Sequence, residues 1–345
     1  MPIQTFRFDE LDGRPVEGFT LAAGGLEATV VAHGARLVRF VMPDRDGRPA
    51  DIVLGFDRLA KYLASDAYFG ATCGRYGNRI GGAAFTLDGV RHRLTANEPP
   101  NQLHGGSDGF DRRMWDATVD EAENAVTFTL RSPDGDQGYP GALAASVRYQ
   151  LTGDGVLDIR MAATTDRATV VNLVHHSYWN LAGHAAGDVR GHRLAVRGGF
   201  ITPVGADLIP TGEVRPVNGT PFDLRNGPFL GEALDAVGGF GFDHNWCLDG
   251  PAGALRPVAS LEDPASGRRL ELSSDQPGLQ VYTGGYLSDR VIGKGDRPYG
   301  PFAGIALETQ RFPGTPNIAH FPSARLDPGQ RYEHHMQLRF RTEGR

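Results

Sequence analysis

Val147-Arg148-Tyr149-Gln150-Leu151-Thr152-Gly153-Asp154-Gly155-Val156-Leu157-Asp158-Ile159-Arg160-Met161 is the stretch that decides the fold class. Val147, Tyr149 and Leu151 alternate with Arg148 and Gln150, and Leu157, Ile159 and Met161 alternate with Asp158 and Arg160. Successive side chains of a strand point to opposite faces, so each arm reads as a half-buried strand. Gly153-Asp154-Gly155 between them is a turn signal, and the stretch reads as a hairpin. The same alternation recurs at Val126, Phe128 and Leu130 and at Met336, Leu338 and Phe340. Further turn dipeptides stand at Asp12-Gly13, Asp46-Gly47, Asp88-Gly89 and Asp134-Gly135. Helical signals are few. The best is Asp57–Ala64, with Asp57 as N-cap and Leu59, Tyr62 and Leu63 on one face. Many short strands at regular spacing predict an all-β fold, a large antiparallel sandwich or barrel. No linker or repeat interrupts the pattern, so residues 1–345 read as a single domain.

Composition narrows the function classes. Glycine and proline make up about a fifth of the chain, but 40% of residues are hydrophobic and the glycines are scattered, which excludes low-complexity disorder. The net charge of −6 and the lack of a basic stripe argue against nucleic acid. No apolar run approaches membrane-spanning length, and the N-terminus lacks the apolar core of a signal peptide. Cys73 and Cys247 are far apart and outside any CxxC pair, which suggests buried free thiols in a reducing, cytoplasmic setting. Gly239-Phe240-Gly241 lacks the third glycine of a dinucleotide loop, and Gly293-Lys294-Gly295 is no phosphate loop. Asp134–Gly138 reads as a tight turn rather than a calcium loop. His334-His335 face opposite sides of a strand, which disfavours a shared metal, and no HExxH or GxSxG occurs.

Chemistry concentrates elsewhere. Glu308 follows the apolar run Ala303–Leu307, and an acid there is costly to bury unless it has partners or a job. His175 and His176 sit among aromatics and amides in Val171–Gly183. A histidine and a glutamate brought together form a general acid and a general base. Gly74–Ile80 offers Arg75, Asn78 and Arg79, Asn101–Gly106 offers His104, and Gly241–Trp246 offers Asp243 between aromatics. Donors, acceptors and ring faces in this mixture suit a sugar.

These segments together resemble the aldose 1-epimerase (galactose mutarotase) family. Its patterns GRYxNRI, LHGG, DGxxGYPG, NHSYFNLAG, IPTGE…GTPFDxR, DHN and LETQxFP…PN have counterparts, in order, at Gly74–Ile80, Leu103–Gly106, Asp134–Gly141, His175–Gly183, Ile209–Arg225, Asp243–Asn245 and Leu307–Asn317. The resemblance runs from about residue 20 to the C-terminal strand. It implies a β-supersandwich, a free aldose as substrate, and neither metal nor other cofactor. It implies Glu308 as catalytic base and His176 as catalytic acid. Arg75, His104 and Asp243 match its substrate-binding positions, and Asn78, Tyr178 and Gln280 are further candidates. The chain departs from the pattern at His175 (usually Asn), Trp179 (usually Phe) and Gly77 (usually Ala).

Mutarotation needs a proton taken from the C1 hydroxyl and one given to the ring oxygen. At unperturbed pKa values a glutamate is ionised at neutral pH and a histidine can donate. Three other readings compete. A hexose-phosphate epimerase needs a cationic clamp, for which Arg75 and Arg79 are available. A non-catalytic sugar-binding domain does not need both Glu308 and His176. A glycosidase needs a second carboxylate, such as Asp243. The preferred aldose, and whether the chain is a monomer or a homodimer, stay open.

Overall fold

The computed structural model describes residues 2–344. The hairpin forms with Val147 opposite Met161, Tyr149 opposite Ile159 and Leu151 opposite Leu157. In its first arm the alternating apolar side chains are buried and Arg148 and Gln150 are not, whereas in the second arm Asp158 is buried beside Leu157 and Ile159. It lies inside an eight-stranded antiparallel sheet, ordered Asp116–Asp120, Ala125–Ser132, Leu143–Leu151, Val156–Thr165, Tyr332–Thr342, Arg268–Ser274, Arg256–Asp263 and Arg193–Val196. The strand Tyr332–Thr342 joins the two halves, pairing with Val156–Thr165 on one side and Arg268–Ser274 on the other.

A second, six-stranded sheet runs Tyr178–Trp179, Ile305–Gln310, Gly278–Tyr282, Asp243–Cys247, Phe200–Thr202 and Arg215–Pro216. One face of it meets the long sheet. Leu279, Val281, Trp246 and Leu307 share one apolar core with Leu270, Met336 and Leu338. The Thr309 hydroxyl and the His334 ring, 2.7 Å apart, link the layers. Two sheets with alternating inward residues make the expected sandwich. A five-stranded N-terminal sheet, Gln4–Leu11 through Pro49–Asp51, flanks them.

The short helix covers Leu59–Leu63, and its start corrects the expected cap. Arg58 occupies the cap position without a side-chain bond, and the Asp57 carboxylate instead accepts the Gly295 N–H at 2.7 Å. Asp9, from the N-terminal sheet, accepts the Leu59 N–H at 2.8 Å. Sequence-local capping rules miss this, because the cap comes from 50 residues away. Leu59 and Tyr62 are buried, but Leu63 is exposed. A second helix, Leu230–Val237, buries Leu230, Ala233 and Leu234 at helical spacing. Both cysteines are free. Cys73 is buried as expected, whereas Cys247 is only half-buried.

Candidate active site

Strand register determines which side chains meet. Across the six-stranded sheet Glu308 pairs with Gln280, Gln280 with Asn245, Tyr282 with Asp243 and Ala306 with Tyr178. Paired residues share a face, as do residues two apart. Tyr178, Glu308, Gln280, Tyr282 and Asp243 therefore project from the face opposite the core, while Leu307 and Val281 enter it. Hydrogen bonds tie this face together. Gln280 donates to Asp243 at 2.7 Å, and Gln310 donates to both Gln280 (3.3 Å) and Asn245 (3.2 Å).

The opposite wall is built from loops and the strand Val174–His176, which pairs with Ala71–Cys73. His104, His176, Glu308, Asn78, Arg79 and Asp243 meet in a cleft of about 800 Å³. Four of its non-glycine residues, Tyr68, Asn78, His104 and Leu208, take positive φ of 55°, 66°, 50° and 60°. Backbone strain of this kind clusters at functional sites. The His104 Nδ1 accepts the Asn78 N–H at 3.1 Å, which leaves its Nε2 as the donor to the cleft. The His176 ring stacks on Tyr178 at 5.1 Å.

His176 Nε2 stands 3.5 Å from Glu308 Oε1, and both side chains are nearly fully buried. Glu308 Oε2 and His176 Nδ1 have no hydrogen-bond partner among the described residues. Burial, reinforced by the nearby Asp243 charge, pushes the Glu308 carboxyl well above the usual range, with Arg79 opposing. Burial, and then Arg36, holds His176 down to about 3. Burial, then His176 and Arg79, hold His104 well below its ordinary value. This corrects the expectation of unperturbed groups: burial at the cleft favours a neutral carboxylic acid and a neutral imidazole. Ligand atoms of His104, His176 and Glu308 lie within 4.8 Å of one another, so these three are the residues that could hold a metal ion. Ligating histidines normally anchor their second nitrogen, and His176 Nδ1 is not anchored.

Arg75 is not at the cleft, which corrects that assignment. Its buried guanidinium bonds the Ser132 hydroxyl and the carbonyls of Ser132, Pro133, Pro140 and Gly141. Of the two arginines in Gly74–Ile80, the one that lines the cleft is Arg79. It forks onto Glu98 at 2.6 and 2.9 Å and stands 3.6 Å from Asp243. Gln280 sits beside Glu308 on the same face and holds Asp243 through its side-chain amide. His175 points away from the cleft. Its ring nitrogens meet the Tyr149 hydroxyl at 3.2 Å and Ser177 Oγ at 2.7 Å. Glu98, Tyr68 and Tyr282 also line the cleft, and sequence reasoning did not single them out. No helix among the described residues is long and apolar enough to cross a membrane.

The family model described as Aldose 1-epimerase matches residues 17–339. The chain is 42% identical to a galactose mutarotase from Bos taurus over 325 residues, 94% of each. It is 34% identical to an aldose 1-epimerase from Escherichia coli, covering 96% of this chain and 97% of the relative. A solved aldose epimerase homologue from C. elegans superposes with a TM-score of 0.89 at 30% identity, covering 95% of this chain and 99% of that one. A galactose 1-epimerase structure from Lactobacillus acidophilus superposes with a TM-score of 0.86 at 26% identity, covering 99% of each. With its fold and nearly its whole length matched, the chain belongs to the aldose 1-epimerase family.

Proposed function

We propose that the cleft binds a free aldose as its pyranose and interconverts the α- and β-anomers, with Glu308 and His176 moving the protons. The observation that carries this reading is the buried His176–Glu308 pair, 3.5 Å apart, at the floor of a cleft lined with hydroxyl-binding groups. Glu308 Oε2 lacks a partner, and the C1 hydroxyl supplies one. A hydrogen bond donated to the carboxylate favours its charged form. One proton then moves from Glu308 to His176 and yields the reactive pair.

Glu308 takes the C1 hydroxyl proton as His176 gives its proton to the ring oxygen. The bond between C1 and the ring oxygen breaks, leaving an aldehyde at C1. Glu308 is now a carboxylic acid and His176 a neutral imidazole, the charge state that burial favours. Burial of the pair therefore stabilises the open-chain stage. Rotation about the C1–C2 bond presents the other carbonyl face, and the same two transfers in reverse close the ring. His104 Nε2 donates near the ring oxygen, while Arg79, Asn78 and Asp243 hold hydroxyls so that the open sugar does not drift. The hexose-phosphate alternative loses support, because Arg75 is elsewhere and Arg79 already faces two carboxylates. Polarimetry of freshly dissolved α-anomers of glucose, galactose, xylose and arabinose tests the proposal. At least one should equilibrate faster than its buffer control, and no acceleration of any would overturn it.

A further inference from the structure

Two cationic side chains line the cleft, and each is already matched. Arg112 reaches Asp66 at 2.7 Å. Arg79 directs Nε and one terminal nitrogen at the two Glu98 oxygens and the other terminal nitrogen toward Asp243. Glu98 is mounted rigidly. It and Asn101 exchange backbone hydrogen bonds of 3.2 and 2.7 Å across Pro99-Pro100. The Asn97 side chain bonds both the N–H (2.9 Å) and the carbonyl (3.0 Å) of Leu103, next to His104. The Glu98 carboxylate is thus placed by its turn.

We propose that Glu98 is a positioning and specificity residue, which orients Arg79 toward the hydroxyls of a neutral sugar and cancels the charge that would otherwise admit an anionic one. The inference rests on the mutarotase reading of the cleft. A bidentate carboxylate fixes the plane of a guanidinium and leaves its remaining N–H groups in one direction. Four carboxyl side chains, Asp66, Glu98, Asp243 and Glu308, line the cleft against the two arginines. A sugar bearing a carboxylate or phosphate meets this acid-rich lining without a free cation to receive it.

Galactose and galacturonic acid test this, because they differ only at C6, a neutral hydroxymethyl group in one and a carboxylate in the other. Mutarotation kinetics of both are measured for the wild type, Glu98→Gln and Glu98→Asp. The wild type should prefer galactose by at least about tenfold in kcat/KM, and about 0.5 M salt should narrow the gap. Glu98→Gln should raise KM for galactose with kcat within about twofold, and should raise the galacturonate-to-galactose ratio at least about tenfold. Glu98→Asp keeps the charge and should keep the ratio low. An unchanged ratio in Glu98→Gln overturns the proposal. If that variant does not fold, a wild-type ratio indifferent to salt overturns it. Failure of the wild type to turn over galactose or any other neutral aldose is a different result, which removes the mutarotase reading itself.

Discussion

Two polar atoms at the floor of the cleft, Glu308 Oε2 and His176 Nδ1, are buried and unbonded among the described residues. Leaving such atoms without partners costs about 1–3 kcal/mol each, so stability alone does not account for them. They are explained if a sugar hydroxyl completes the Glu308 site and His176 must stay free to exchange its proton. His175, one residue away, has both nitrogens engaged and faces the Tyr149 side. His176→Asn should therefore lower kcat at least about a hundredfold, the range for lost general-acid catalysis. His175→Asn should keep kcat within a few-fold while losing about 1–3 kcal/mol of stability, because the Tyr149 and Ser177 hydroxyls lose their partner. Rates and urea midpoints of the two purified variants decide between them. The opposite pattern, with His175→Asn inactive and His176→Asn active, would move the acid to the other face.

Elements decide which side chains share a face. Glu308 stood out in the sequence as an acid after an apolar run, and Tyr178 and Asp243 through the motifs of the resemblance, while strand register is what sets all three on one face. Arg75 and Arg79 were not separable that way. They lie in Gly74–Ile80, where only Arg79-Ile80 is strand and Asn78 has positive φ, so no period predicts direction. The helix start failed for a related reason, since its cap comes from Asp9 on another element. The two arginines now predict different defects. Arg75→Ala removes the donors to four carbonyls, three of them in buried bonds, and should cost about 3 kcal/mol or more of stability. Arg79→Ala should keep a near-native midpoint and raise KM at least about tenfold. Denaturant midpoints beside steady-state kinetics test the pair, and a KM defect in a stable Arg75→Ala protein would contradict it.

Over the whole molecule, the β-class was legible in alternation alone, but how the sheets face each other was not. That depends on contacts such as Thr309 with His334 and on the long strand Tyr332–Thr342, which no local pattern pairs. Burial has a global cost in acid. His33, His192 and His334 are held down to about 4, and His175 and His176 to about 3, chiefly by desolvation. In the unfolded chain these groups take up protons near 6.5, whereas the folded protein takes them up only near 3–4. Their effect on stability is absent above about pH 6.5 and unfavourable as pH falls toward 4. Each contributes a loss of about 1.4 kcal/mol per pH unit in that window. Urea midpoints should fall steeply between pH 6.5 and 4.5, less steeply in His175→Asn, and a flat profile would contradict the buried neutral histidines. The most direct test of the account follows the optical rotation of fresh α-D-galactose with EDTA-dialysed wild type and with Glu308→Gln, both checked for folding. The account predicts rapid equilibration by the dialysed wild type and a rate about 10²–10⁴-fold lower in Glu308→Gln, whose amide cannot accept the C1 proton. Near-wild-type rotation by Glu308→Gln, or wild-type activity lost on dialysis and restored by a divalent ion, would contradict it.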